Sequence, residues 1–319
     1  MTKLRLPADS ALAFNRIQSH IRETPLDYSP YFSELTGANV YLKLENLQHT
    51  GSFKLRGAFN KLLSLSDDER RQGCVTASSG NHGAAVAYAM SKLGVDGVIF
   101  VPEQTSATKL DAIRRSGGDV RLFGTDGLDT ETHARGYAGE HGMIYLSPYN
   151  DAAVVAGQGT IGVELARQLD PIDAVFIAVG GGGLISGVGS FLKSVNTRVR
   201  IVASQPAASD VMTRSVAAGE ILELPSERTL SDGTAGGIEA GAITFDICRE
   251  IVDDYVTVSE EQIADAMRAF MDSHHMLLEG AAGVAIAALI ASPEPYRQQN
   301  VVVVICGANI SRDTLKQVL

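Results

Sequence analysis

Two nearly continuous apolar segments constrain the fold of this chain more than any other feature of its sequence. They read AVFIAV at residues 174–179 and VVVVIC at residues 301–306. A strand with one face in water alternates polar and apolar residues, whereas a central strand of a parallel sheet is covered by helices on both faces and is apolar throughout. The two segments therefore predict central strands of a mostly parallel sheet.

Shorter β-rich segments alternate with helical patterns along the rest of the chain. Further strands are predicted at residues 41–44, 97–101, 120–123, 144–146 and 199–203, and helices at residues 82–92, 106–116, 159–168 and 260–274. This alternation is typical of βαβ units and predicts the α/β fold class. Ligands of such sheets bind beyond the carboxyl ends of the strands.

A chain of 319 residues is long enough for two domains. Several short βα units fall between residues 73 and 150, which indicates a smaller domain inserted in a larger one. We expect the larger domain to comprise residues 1–72 and 151–319, and the smaller one residues 73–150.

Composition excludes several classes of partner. The net charge is −10 and the lysines and arginines form no basic stripe, so a nucleic-acid partner is not expected. The longest apolar stretch, residues 281–291, is too short to span a bilayer, and the amino terminus lacks the apolar core of a signal peptide. The three cysteines, Cys74, Cys248 and Cys306, lack metal-ligand spacing and suit a reducing compartment. We expect a cytoplasmic protein.

A run of four glycines follows the first apolar segment directly, at Gly180, Gly181, Gly182 and Gly183. Glycines expose backbone N–H groups without an obstructing Cβ, and a helix that starts there adds its positive dipole end. This pattern predicts a phosphate site. A dinucleotide site is the competing interpretation, but Ile185 and Ser186 stand where the third glycine of Gly-x-Gly-x-x-Gly should fall. A literal match at residues 157–162 lacks a clear strand before it, and we interpret it as the start of a helix.

A lysine stands in the segment TGSFKLRGA, residues 50–58, after a predicted strand and before a helix. Lysine is a poor nucleophile near neutral pH because its ammonium form dominates. Partly buried beside aromatic and apolar neighbours, it can lose its proton and form an imine with a carbonyl. Read alone, Lys54 is better explained as a surface lysine at a helix start.

A third loop, SSGNHG at residues 78–83, opens the predicted helix 82–92. Serine and asparagine are good N-caps, so a capped helix is the simplest explanation. Capping needs only one residue, however, and several polar side chains crowd this glycine turn. Such a loop can bind a carboxylate, as an amino-acid substrate requires. His82 taken alone is better explained as structural.

Together GSFKLRGA, SSGNHG, AGQGT, GGGGL and CGAN resemble the pyridoxal-phosphate enzymes of fold type II, in the branch of threonine dehydratase and serine racemase. The resemblance covers roughly residues 24–309 with the motifs in the family's order. It implies a two-domain fold in which each domain is a mostly parallel twisted sheet flanked by helices. It also implies pyridoxal 5′-phosphate held as a Schiff base on Lys54, and a homodimer.

The resemblance also assigns roles to the candidate residues. Cofactor contacts are implied for Phe53, Lys54, Asn81, Gly180, Gly181, Gly182, Gly183, Glu279 and Cys306. Substrate contacts are implied for Ser78, Ser79, Asn81, His82 and Tyr149. In this scheme Asn81 contacts the ring hydroxyl, the Cys306 thiol faces the pyridine nitrogen, and the residue pair 232–233 lies close to the cofactor.

The implied activity is dehydration and deamination of a 3-hydroxy amino acid of the threonine or serine type, which gives a 2-oxo acid and ammonia. Lys54 would remove the α-proton while the cofactor takes up the electron pair. Ser79 occupies the place of a second acid–base group in the racemase branch, so racemisation of an amino acid such as serine is the alternative. A nucleotide-binding oxidoreductase or a binding module would leave Lys54, Ser79 and Cys306 without roles.

The sequence departs from the family pattern at two places. Gln205 and Val211 stand where racemase-branch enzymes carry acids that bind a divalent cation, which leaves Asp210 as the nearby acid. Hard cations prefer several charged oxygens, so we expect this metal site to be absent or weak. Tyr149 replaces a phenylalanine or asparagine beside the substrate side chain, which leaves hydroxyaspartate-type and hydroxyectoine-derived substrates open.

Overall fold

The computed structural model describes residues 5–319, and the first four residues, which the sequence analysis assigns to the larger domain, lie outside the described part. Within it, the strands are β1 (Leu26–Tyr28), β2 (Asn39–Lys43), β3 (Cys74–Ala77), β4 (Gly97–Val101), β5 (Asp119–Leu122), β6 (Ile144–Tyr145), β7 (Ala174–Ala178), β8 (Arg200–Pro206), β9 (Asp254–Val258) and β10 (Asn300–Val304). They form two sheets flanked by helices. The predicted α/β class with mostly parallel sheets is confirmed.

Fourteen α-helices lie between and around these strands in residues 5–319. They are α1 (Leu6–Ile17), α2 (Pro30–Thr36), α3 (Lys54–Ser64), α4 (Asp67–Gln72), α5 (Asn81–Leu93), α6 (Ala107–Arg115), α7 (Gly127–His141), α8 (Ala152–Gln168), α9 (Gly183–Val195), α10 (Val211–Ala218), α11 (Ile243–Ile251), α12 (Glu260–His274), α13 (Gly280–Ala291) and α14 (Arg312–Val318). Three of them, α3, α5 and α9, begin at loops that the sequence analysis singled out.

The larger sheet has the strand order β1-β2-β10-β7-β8-β9. β10 pairs in parallel with β2 on one side and with β7 on the other, so that Val302 lies opposite both Tyr41 and Val175. β1 runs antiparallel to β2. All five residues of β7 are buried, and Val301 to Val304 of β10 are buried too. The two apolar segments are therefore central strands, as predicted.

The smaller sheet has the order β5-β4-β3-β6, and its strand pairs are parallel. Its strands fall between residues 74 and 145. Helix α3, which precedes them in sequence, packs Leu55 and Phe59 into the same apolar core as Ala85 and Met90 of α5. The assignment of residues 73–150 to a separate domain stays a prediction.

One predicted element is wrong at its start. Helix α8 begins at Ala152 and not at residue 159, because the Asp151 carboxylate accepts hydrogen bonds from the amides of Ala153 and Val154 and caps the helix. The Gly-x-Gly-x-x-Gly match at residues 157–162 consequently lies in the middle of the helix and does not start it.

Four fully buried charged residues join β2, α3 and α8. The Arg56 guanidinium contacts Glu45 Oε1 at 2.7 Å and Glu164 Oε1 at 2.6 Å, and Lys43 Nζ lies 2.5 Å from Glu164 Oε2. Burial lowers the pKa of Arg56, but the two carboxylates outweigh it and raise the pKa above its ordinary value. Because a buried charge is tolerated only when it is paired, this network fixes α3 against α8.

Candidate active site

A cleft of about 1580 Å³ opens at the carboxyl ends of strands from both sheets. It is lined by the loops that follow β3, β7 and β10, together with the start of α3 and residues 230–237. This is the place at which parallel sheets bind ligands. The structure brings every candidate residue of the sequence analysis to this cleft: Phe53, Lys54, Ser78, Ser79, Asn81, His82, Tyr149, Gly180, Gly181, Gly182, Gly183, Glu279 and Cys306.

The glycine loop forms the start of α9. Gly182 is the N-cap with φ +84°, a backbone conformation that favours glycine, and no side chain in the described part of the chain caps this helix. A Cβ on Gly181 would lie 2.5 Å from the Tyr149 ring. Uncapped amides at the positive end of a helix, with no Cβ in front of them, fit a phosphate group.

Lys54 is the first residue of α3, and its side chain is partly buried in the cleft. Nζ donates to the Pro148 carbonyl at 2.9 Å and lies 5.3 Å from the centre of the Phe53 ring. Burial lowers the pKa of Lys54 to about 8, although the nearby Cys306 and Glu279 act in the opposite direction. The amine is therefore far more often neutral near pH 8 than an ordinary lysine, as a nucleophile or base requires.

The loop 78–83 leads into α5, which starts at Asn81. Gly80 is the N-cap, and no side chain in the described residues caps α5, so the simplest explanation of this loop as a capped helix does not hold. Ser78 Oγ accepts a bond from the Gly80 amide at 3.2 Å. A Cβ on Gly83 would lie only 2.0 Å from the Ser78 carbonyl oxygen, so the tight turn needs glycine there. The uncapped amides suit a carboxylate.

His82 is buried, and the surroundings of its side chain argue against a role in carboxylate binding. Its Nε2 lies 3.1 Å from the Leu146 carbonyl oxygen. Burial, and secondly the charge of Lys54, lowers the pKa of His82 to about 3, so the ring is neutral. This agrees with the interpretation of His82 alone as structural, and its contact with substrate stays a prediction.

Glu279 and two asparagines form a hydrogen-bonded group at the floor of the cleft. Asn81 Nδ2 donates to both carboxylate oxygens of Glu279 at 2.9 Å, and the Asn309 amide donates to Oε2 at 3.2 Å. Asn309 Nδ2 also donates to Asn81 Oδ1 at 2.6 Å. Burial raises the pKa of Glu279 to about 7, although the hydrogen bonds from Asn81 and Asn309 act to lower it. The sequence does not predict Asn309 as a site residue, although it ends the motif CGAN.

The Cys306 thiol lies 3.9 Å from Glu279 Oε1 and is buried. Burial, and secondly the Glu279 carboxylate, raises the pKa of Cys306 well above its ordinary value. The thiol therefore stays protonated and uncharged. The Phe53 amide donates to the Cys306 carbonyl at 3.1 Å, which ties the lysine loop to the end of β10.

Tyr149 separates the glycine loop from residues 236–239. Its ring lies against Gly181, and its hydroxyl accepts a hydrogen bond from the Glu239 amide at 2.9 Å. The Glu239 carboxylate in turn contacts Arg135 of α7 at 2.7 Å. Tyr149 is therefore held by the backbone of Glu239, which α7 holds in turn through Arg135, an arrangement that the sequence did not predict.

Gln205 stands at one of the two positions where a divalent-cation site would need an acid. Its Oε1 accepts hydrogen bonds from the amide and hydroxyl of Thr213 at 2.8 and 2.7 Å. Its Nε2 donates to the Ser209 carbonyl at 3.4 Å. The side-chain amide of Gln205 is thus engaged in hydrogen bonds within the protein, and the absence of a divalent site stays a prediction.

A profile of the protein family described as "Pyridoxal-phosphate dependent enzyme" matches residues 17–307. The chain belongs to this family. Within it, the predicted branch of threonine dehydratase and serine racemase, with fold type II, is confirmed. Family membership implies pyridoxal phosphate as the cofactor, and the uncapped glycine loop facing Lys54 across one cleft fits that molecule.

Similar proteins cover nearly the whole chain. The L-threonine dehydratase catabolic TdcB of Escherichia coli is 38% identical over 96% of this chain and 93% of its own length. The processed threonine deaminase isoform 2 of Solanum lycopersicum superimposes with a TM-score of 0.93 and 37% identity, over 98% of this chain and 91% of that one. Maize serine racemase superimposes with a TM-score of 0.92 and 31% identity, over 98% of this chain and 95% of that one.

None of the helices in residues 5–319 is long and apolar enough to cross a membrane.

Proposed function

We propose that this pyridoxal-phosphate enzyme dehydrates and deaminates a 3-hydroxy amino acid of the threonine or serine type, giving a 2-oxo acid and ammonia. The observation that carries the proposal is that Lys54, with its lowered pKa, shares one cleft with two uncapped helix starts. One start suits a phosphate and the other a carboxylate. The Escherichia coli relative, named a threonine dehydratase, supports the same reaction class.

The residues divide the binding between them. Lys54 holds the cofactor through a Schiff base, the amides of residues 180–183 bind its phosphate, and Phe53 flanks its ring. Asn81, oriented by Glu279, contacts the ring hydroxyl, and Cys306 faces the ring nitrogen. The amides at the start of α5, with Ser78, bind the substrate carboxylate, and Tyr149 bounds its side chain.

Lys54 then moves the proton. The Lys54 amine, when not bonded to the cofactor, would be basic enough, and sufficiently often neutral, to take the α-proton of the substrate. Pyridoxal phosphate, when bound, accepts the electron pair left on the α-carbon. The neutral Cys306 thiol places no negative charge beside the ring. Lys54 would pass the proton it took from the α-carbon to the β-hydroxyl, which would leave as water, and hydrolysis of the resulting enamine would give the 2-oxo acid and ammonia.

The test of cofactor attachment is visible absorbance. Wild type incubated with pyridoxal phosphate should turn yellow and carry a borohydride-reducible adduct, whereas Lys54→Ala should lose both. Lys92→Ala, which removes a lysine from the exposed face of α5, is the control and should behave as wild type. A wild-type protein that stays colourless with added cofactor would refute the proposal.

Racemisation is the second candidate, favoured by Ser79, whose side chain lines the cleft two residues before the start of α5. As an acid–base group on the face of the substrate opposite Lys54, it would return the α-proton with inverted configuration. Ser79→Ala should then suppress racemisation of serine far more than elimination. If wild type forms no enantiomer, this candidate is dropped.

The identity of the 3-hydroxy amino acid depends on the wall formed by Tyr149. A screen of threonine, serine, hydroxyaspartate and hydroxyectoine-derived amino acids, following both 2-oxo acid release and enantiomer formation, would define the substrate. Release of 2-oxo acid from none of them would contradict the dehydratase reaction.

We further propose that the enzyme is a homodimer. Tyr28 of β1 and Tyr31 and Leu35 of α2 each expose about half of their surface, at 49%, 46% and 51%. They lie at the edge of the larger sheet, where apolar side chains in water favour association with a second copy. A cytoplasmic location is proposed because the three cysteines are free, buried thiols.

A further inference from the structure

The glycines at positions 157, 159 and 162 have no part in the site described above. They lie within the 17-residue helix α8 and are buried. Each glycine weakens a helix relative to alanine, so three of them in one helix require a reason in packing. Two of the three lie where neighbouring helices approach α8 backbone to backbone.

Gly157 faces α3. A Cβ on Gly157 would lie 2.6 Å from the Arg56 carbonyl oxygen and 2.7 Å from Gly57 Cα. The Gly57 amide also donates to Gln158 Oε1 at 3.2 Å. Because these obstacles are backbone atoms, they cannot turn aside as a side chain could. The contact lies one helical turn from Lys54, the first residue of α3.

Gly159 faces α9. A Cβ on the opposing Gly187 would lie 2.3 Å from the Val155 carbonyl oxygen and 2.6 Å from the Gly159 amide nitrogen. Gly187 is about one turn from Gly183, at which α9 leaves the glycine loop. Helix α8 is therefore in backbone contact with both helices that carry the ends of the cofactor site.

We propose that α8 is a spacer whose glycines set the distance between Lys54 and the phosphate-binding loop. The inference rests on the proposed function, in which one molecule is held at both ends. The contact of α8 with α3 lies about one turn from Lys54, and its contact with α9 lies about one turn from Gly183. Because helices are stiff, a shift at either contact displaces the nearby part of the site by almost the same distance. Gly157 and Gly187 are then positioning residues that match the site to the length of pyridoxal phosphate.

The test compares two ligands that differ in one end. The dissociation constants of pyridoxal phosphate and of pyridoxal, each followed by its visible band and by borohydride trapping on Lys54, are measured for every variant. The dissociation constant of pyridoxal divided by that of pyridoxal phosphate reports how well Lys54 and the phosphate-binding loop engage one molecule at once. In Gly157→Ala and Gly187→Ala this ratio should fall about tenfold or more, while the affinity for pyridoxal stays unchanged.

Gly136→Ala is the matched control, because a Cβ there meets open space on α7. It should keep the wild-type ratio. A ratio unchanged in folded Gly157→Ala and Gly187→Ala, or reduced equally in Gly136→Ala, would overturn the inference. A role in stability alone would lower the melting temperature and leave the ratio as it is.

Should circular dichroism reveal that both variants are unfolded, Gly162→Ala decides the question. Its Cβ would lie 3.1 Å from the Val188 carbonyl oxygen and from Phe191 Cβ, a contact that a small shift of α9 relieves. A several-fold fall in the ratio supports the spacer, and an unchanged ratio overturns it. Wild type that fails to bind pyridoxal phosphate would instead refute the proposed function itself.

Discussion

Lys54 combines two requirements that oppose each other. Its side chain must be shielded to lower its pKa, yet the protonated form then loses hydration without a carboxylate in direct contact, since Nζ is bonded to the Pro148 carbonyl. The cofactor-free protein therefore carries a destabilising ammonium group at its reaction centre. This cost is removed when the amine is neutral or covalently bound.

Replacing Lys54 with methionine should stabilise the cofactor-free protein at pH 7. The folded-state pKa of about 8 is lower than the ordinary 10.5, so the cost is complete below pH 8 and vanishes as pH rises to 10.5. We expect a gain of about 1–2 kcal/mol, less than the full shift implies because the side chain reaches water and its bond to Pro148 is lost. Urea unfolding at pH 7 and pH 10 measures it, with Lys92→Met as control. A variant less stable than wild type at pH 7 would contradict this account.

Glu279 has the opposite dependence on pH. Burial raises its pKa to about 7 from 4.5, so its contribution to stability is complete below pH 4.5 and is lost as pH rises through 7. In Glu279→Gln this loss should disappear. The difference in unfolding free energy between wild type and variant should change by about 2–3 kcal/mol from pH 5 to pH 8. A difference that is constant over this range would contradict the raised pKa.

Among single residues, the sequence predicts those whose role follows from their immediate neighbours in the chain. The glycine loop and Lys54 stand beside strands and helix starts that are recognisable within ten residues. The bond between Asn81 and Glu279 joins positions 198 apart in the chain, and no spacing rule reaches that far. Asn309 was missed for the same reason, because only the fold brings it to Asn81.

Among the elements, α8 departs most from the sequence interpretation. Its glycine pattern resembles a dinucleotide loop because both features need close backbone approach, and the glycine spacing cannot tell a ligand from a neighbouring helix. The capping carboxylate of Asp151 was a usable signal that the helix starts earlier. The partners Gly57 and Gly187, in contrast, could only be identified from the folded structure.

The buried charges around Arg56 should make α3 sensitive to substitution. Arg56→Leu leaves Glu45 and half of the Glu164 interactions without a cation in a fully buried place. The expected loss is about 3–5 kcal/mol of unfolding free energy, measured with guanidinium chloride. Arg249→Leu, which removes an exposed pair with Asp246, is the control and should cost less than about 1 kcal/mol. A loss at Arg56 no larger than at Arg249 would contradict the structural role.

For the molecule as a whole, the sequence predicted the fold class because apolar strands and motif order are properties of long segments. It could not predict how α3 divides its contacts. Leu55 and Phe59 join the core of the smaller sheet, while Arg56 is bonded to α8. The sheet to which a connecting helix belongs depends on the packing of all its faces. The apolar pattern of one helix does not tell which neighbour each face contacts.

Assembly is tested at the apolar edge of the larger sheet. Tyr31→Glu combined with Leu35→Glu places two charges where a second copy would bury them, and the protein should sediment as a monomer. Leu128→Glu, on the 75% exposed Leu128 of α7, is the control and should leave the sedimentation unchanged. Wild type that sediments as a monomer at micromolar concentration would refute the dimer.

The position of β10 links the architecture to the order of synthesis. It is the last strand in sequence, yet it lies between β2 and β7 in the larger sheet. Until residues 300–304 leave the ribosome, β1 and β2 cannot join β7, β8 and β9, whereas the smaller sheet already has all four of its strands. Cys306 and Asn309 follow β10 directly. The nascent chain therefore cannot assemble a complete site before β10 joins the larger sheet. Binding of the cofactor then indicates that the larger sheet has formed.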